Sequence, residues 1–70
     1  MERVKYELVT GYIKLAGYSL SELADKLGIT RRTLANKING YSDFTISEAL
    51  TIKEIVGKPI DEIFLTWHVA

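Results

Sequence analysis

The sequence has no cysteine, one proline and one histidine. Without cysteine there is neither a disulfide nor a thiolate metal site, so packing alone must hold the fold, as suits a reducing, cytoplasmic setting. The lone histidine, His68, has no neighbours at metal-ligand spacing, and no metal is expected. Long apolar runs are missing too. No stretch approaches a membrane span, and Met1-Glu2-Arg3 opens no signal-like segment, so the chain reads as soluble. Enzyme chemistry has no footing either: there is no histidine paired with a hydroxyl and no glycine-rich phosphate loop. Ser19, Ser21 and Ser47 are accounted for by helix starts, and nothing asks for a cofactor.

What is present reads as one short all-α domain. Its 70 residues lie near the lower limit for independent folding, and a 47% hydrophobic share is enough for a compact core. Glycines and capping residues divide the chain into five helices. The first is predicted over about residues 2–16, with Val4, Leu8, Val9, Tyr12, Ile13 and Leu15 as its apolar positions. Gly11 inside it costs about 1 kcal/mol relative to alanine, and Gly17 stops it. The second begins at the capping box Ser19-Leu20-Ser21-Glu22, with Tyr18 and Leu23 as a hydrophobic staple. It sets Leu20, Leu23, Ala24 and Leu27 on one face before Gly28.

The third helix is capped by Thr30, stapled by Ile29 and Leu34, lined inward by Leu34 and Ile38 beside the small Ala35, and stopped at Gly40. The fourth opens at another capping box, Thr45-Ile46-Ser47-Glu48, and offers Ile46, Ala49, Leu50, Ile52, Ile55 and Val56. The fifth follows Pro59, a residue suited to a first helical position, and carries Ile60, Ile63 and Phe64. No strand is needed before residue 65.

A formal net charge of zero hides an asymmetry. Residues 1–25 carry a net −1 and residues 42–70 a net −3, while residues 26–41 carry +4 from Lys26, Arg31, Arg32 and Lys37 with no acid among them. Overall neutrality speaks mildly against a nucleic-acid partner; the local excess speaks for one. The second and third helices, joined through Gly28-Ile29-Thr30, make a helix-turn-helix pattern over residues 19–39. Arg31 and Arg32 fall in the first turn of the third helix, where the helix dipole favours acids, and each costs on the order of 0.3–1 kcal/mol there. A polyanion offsets that cost, and a guanidinium binds guanine O6 and N7 in a bidentate fashion. Asn36, one turn beyond Arg32, suits adenine N6 and N7. Thr30 and Thr33 suit a phosphate oxygen or a thymine methyl. Lys37 and Asn39 complete the outward positions, Lys37 as a phosphate contact whose loss would weaken binding to all sequences alike and flatten its salt dependence.

Residues 19–34, SLSELADKLGITRRTL, together with Lys37-Ile38-Asn39-Gly40-Tyr41-Ser42-Asp43-Phe44-Thr45 and Asp61-Glu62-Ile63-Phe64, resemble phage Cro and repressor proteins and their bacterial relatives over about residues 4–64. The resemblance implies a lambda-repressor-like DNA-binding domain over residues 1–64. It further implies a transcriptional regulator of phage or prophage repressor type. Such a protein binds a pseudo-palindromic operator in double-stranded DNA as a homodimer, with its third helix in the major groove and half-sites about one helical turn apart. On that pattern the base contacts fall on Thr30, Arg31, Arg32 and Asn36. The DNA-backbone contacts fall on Ser19, Ser21, Thr33, Lys37, Asn39, Gly40 and Tyr41, with the amides of the turn at residues 39–42 against phosphate.

There are departures. Leu20 stands where many relatives carry a glutamine that braces the DNA backbone, and Tyr41 replaces a frequent basic residue. Lys53 stands where a small apolar residue is usual, so its stem is expected to snorkel. Lys58-Pro59 replaces the usual apolar-serine lead into the last helix. Leu20 and the neutral net charge favour the competing class, a protein-interaction module or an antitoxin that keeps the fold. The tail adds Leu65, Trp67 and Val69, alternating with Thr66 and His68 as in a strand. It reads as an arm against a second subunit, the alternative being Trp67 folded back on its own core.

Overall fold

The computed structural model describes residues 5–64, and five helices follow one another within them: α1 (Glu7–Leu15), α2 (Leu20–Leu27), α3 (Arg31–Ile38), α4 (Ile46–Val56) and α5 (Ile60–Ile63). The fold is all-α, with no strand among the described residues. The tail carrying Leu65, Trp67 and Val69 lies outside them. No described helix is long and apolar enough to cross a membrane.

Helix starts follow from local chemistry. Ser19 Oγ accepts from the Glu22 amide at 3.1 Å while the Ser19 amide donates to Glu22 Oε1 at 3.0 Å. Thr45 and Glu48 repeat this reciprocal pair at 3.1 and 2.9 Å. Thr30 Oγ1 accepts from the Thr33 amide at 3.1 Å. Each cap satisfies amides that the first helical turn leaves without partners, and is worth about 1 kcal/mol. Between α2 and α3 the chain reverses at Gly28, whose φ of +72° is a left-handed conformation that side-chain-bearing residues adopt only under strain.

Every helix contributes to one core. Val9 and Ile13 of α1, Leu23 of α2, Leu34 of α3, Ile52 of α4 and Ile63 of α5 are fully buried, and the small Ala24 is buried with them. At one end of the core the rings of Tyr6, Phe44 and Phe64 meet edge to face, with centroids 5.2–5.6 Å apart.

Expectations for α1 and α4 are corrected by this packing. Helix α1 begins at Glu7 rather than near residue 2. The Tyr6 amide donates to the Ile38 carbonyl at 2.8 Å and its ring joins the aromatic cluster, so a tertiary contact holds Tyr6 outside the helix. Helix α5 follows Pro59, as the sequence reads. On α4 the expected apolar positions Ile46 and Leu50 are 81% and 46% exposed. Glu48 and Ile52 take the inward face, and helical periodicity puts residues 46, 50 and 53 on the opposite side. Lys53 is therefore exposed and has no stem to thread past the core.

Gly11 sits in mid-helix with ordinary helical φ, and a Cβ built on it meets nothing within 4 Å. Gly11→Ala is expected to stabilise the domain by about 1 kcal/mol. A thermal melt that falls instead of rising would show that the position needs its bare backbone.

Candidate nucleic-acid interface

Burial of Leu34 and Ile38 fixes the rotation of α3 about its axis. That rotation turns Arg32, Asn36 and Asn39 away from the core, and all three are exposed. Thr30 and Arg31 are exposed at the helix start. Among the described residues neither guanidinium has a carboxylate partner. The other four helices each carry an acid in the first turn, namely Glu7, Glu22, Glu48 and the pair Asp61 and Glu62. Helix α3 has none and opens on Arg31 and Arg32. The dipole preference is kept at four helix starts and reversed at one.

The hydroxyls nearby are partly engaged. Thr30 donates to Thr33 Oγ1 at 2.9 Å, and Thr33 is half-buried. Ser19 Oγ serves as the α2 cap, and Ser21 is exposed in the first turn of the same helix. Leu20 is half-buried against the core, so position 20 offers no polar group. Lys26 at the end of α2 is exposed, with its ammonium 5.3 Å from the Tyr18 ring centroid, a cation–π arrangement.

Two expected backbone contacts are changed. Lys37 does not face outward: only 9% of it is exposed, and its Nζ lies 2.6 Å from Glu48 Oε1 and 3.2 Å from the Asp43 carbonyl oxygen. The cause is rotational register, since Lys37 lies on the flank of α3 next to Leu34 and Ile38 and meets the first turn of α4. The turn at residues 39–41 is also closed upon itself. The amides of Asn39, Gly40 and Tyr41 donate to the carbonyls of Ala35, Lys37 and Asn36, with Gly40 at φ +85°. This is the glycine-centred helix ending that satisfies the last carbonyls, and it takes three of the four amides expected at phosphate. The side chains of Asn39 and Tyr41 are exposed.

Glu48 is the residue that sequence reasoning missed, because the capping box already explained it. Burial pushes its carboxyl up, but hydrogen bonds from Lys37 and the Thr45 amide, with the attraction of the Lys37 charge, hold it below the ordinary carboxylate value. A depressed carboxyl contributes stability that is complete above its unfolded value and lost as pH falls through its folded one. Acid melts of the wild type should lose this contribution, and Glu48→Gln should show a shallower acid limb. A signal was available in the sequence: an acid and a base each at a core-facing register of consecutive helices.

A model of the helix-turn-helix family matches residues 12–63, most of the chain. No curated protein and no solved structure matches it. The chain belongs to the Cro/C1-type helix-turn-helix family of DNA-binding regulators.

Proposed function

We propose that the protein is a sequence-specific transcriptional regulator of phage-repressor type, acting in the cytoplasm. As a homodimer on a two-fold symmetric operator, it reads the major groove with α3. The observation that carries the reading is the reversed start of α3, where Arg31 and Arg32 stand exposed without acids while four other helices keep theirs. Phosphate or guanine removes the dipole penalty that these arginines impose on the free protein.

Arg32 and Asn36, one turn apart on the outer face, are suited to two neighbouring bases, and Thr30 and Arg31 to the base edges beside the helix start. Ser19, Ser21, Asn39 and Tyr41 flank this face as side-chain contacts to the DNA backbone. Thr33 keeps its own hydroxyl proton for a phosphate oxygen. With Lys37 withdrawn, the solvent-facing charges of residues 26–41 are Lys26, Arg31 and Arg32. If all three meet phosphate, the slope of log affinity against log salt is about −2.7 per subunit.

Selection of bound duplexes from a random library at physiological salt tests this. A symmetric motif with half-sites about one turn apart is expected. A library returned without enrichment would favour the interaction-module or antitoxin reading, for which Leu20 in place of a polar residue is the supporting observation.

A further inference from the structure

We infer that Lys37 and Glu48 are positioning residues for DNA reading, setting from behind the pose of the turn that joins α3 to α4. The inference rests on the DNA-reading proposal above. One ammonium and one carboxylate oxygen tie three segments together. Lys37 leaves the last turn of α3 and donates both to the Asp43 carbonyl at 3.2 Å and to Glu48 Oε1 at 2.6 Å. The same Glu48 oxygen accepts from the Thr45 amide at 2.9 Å. Between these anchors run residues 39–43, with Asn39, Tyr41, Ser42 and Asp43 exposed.

The choice of residue types supports the role. A lysine beside a DNA-reading face gains most as a phosphate contact, yet this one is withdrawn from solvent. Burying an ammonium and a carboxylate is costly, and apolar residues of similar size often replace such a pair without loss of stability. What an apolar pair cannot reproduce is the directed bond from Nζ to the Asp43 carbonyl and the acceptor for the Thr45 amide. Those bonds order the turn before DNA arrives, which lowers the cost of ordering it during association.

The test compares wild type, Lys37→Met and the double variant Lys37→Met with Glu48→Met. Thermal melts come first. Affinity for the selected operator is then measured across a salt series, at a temperature where each protein is folded. Lys37→Met is expected to melt lower, because it leaves Glu48 buried without its cation. The double variant should regain most of the melting temperature yet stay weaker in DNA binding by about tenfold. Both variants should keep the wild-type salt slope, since no phosphate contact has been removed.

Affinity that returns together with stability in the double variant would overturn the inference and leave the pair a packing feature. A salt slope reduced by about 0.9 would overturn it differently, by making Lys37 a phosphate contact. Amide exchange in the DNA-free proteins separates this inference from the proposed function. The Gly40 and Tyr41 amides, whose acceptors are retained, should exchange faster in the double variant while the Leu23 and Ile52 amides do not. Unchanged exchange at Gly40 and Tyr41 would overturn the positioning role even if DNA reading fails on its own account.

Discussion

Arg32→Ala is expected to weaken binding to the preferred operator by about 1–3 kcal/mol and to relax discrimination at a single base pair. The same substitution should leave the free protein slightly more stable. Arg32 is exposed, without a carboxylate partner among the described residues, in the first turn of α3. Removing its charge relieves a dipole penalty on the order of 0.3–1 kcal/mol. Opposite signs for affinity and stability set this residue apart from a packing residue, whose loss lowers both. Titration against the operator and its single-base variants, beside a thermal melt of each protein, checks both halves. Unaltered affinity would mean that DNA is read by another face.

Leu34→Ala should produce the largest change in stability. Leu34 is fully buried on the inner face of α3. Truncating a core leucine costs about 2–5 kcal/mol, against a total stability of roughly 4–10 kcal/mol for a chain of this size. The melting temperature is expected to fall by more than about 10 °C, with DNA binding lost as the folded fraction falls. Leu50→Ala serves as the comparison. Leu50 is 46% exposed on the outer side of α4, and its truncation should change stability by no more than about 0.5 kcal/mol. A melt in which the two variants match would contradict the placement of the core.

The contrast between Leu34 and Leu50 indicates how much the sequence alone made legible. Helix starts were readable because caps are local: Ser19 with Glu22, Thr30 with Thr33 and Thr45 with Glu48 lie three residues apart and need no other part of the chain. The glycine reversal at Gly28 is local in the same sense. What local pattern could not supply was the rotation of each helix against its neighbours. An apolar stripe made Ile46 and Leu50 equivalent to Ile52, and only packing separates them. Tyr6 was drawn out of α1 by the Ile38 carbonyl and two phenylalanine rings, contacts that span most of the chain.

The candidate site divides along the same line. Arg32 and Asn36 could be placed on an outer face from the positions of Leu34 and Ile38 within their own helix, whereas Thr30 and Arg31 share the side of Leu34 and are exposed because they open the helix. The register of Lys37 beside Leu34 is legible in the same way, but its partner is not, since Glu48 is eleven residues away and already has a local role as the cap partner of Thr45. The resemblance implies that the turn at residues 39–42 offers its amides to phosphate. In the fold it is the closing turn of α3.

The division of labour within α3 bears on how such a protein changes its target. Its contacts with the rest of the domain run through Leu34, Lys37 and Ile38, whereas residues 31, 32 and 36 touch solvent. On the proposed function, new operators are therefore reachable by rewriting three surface codons while the scaffold stays as it is. Such a lineage would diversify its recognition alphabet quickly and its architecture hardly at all.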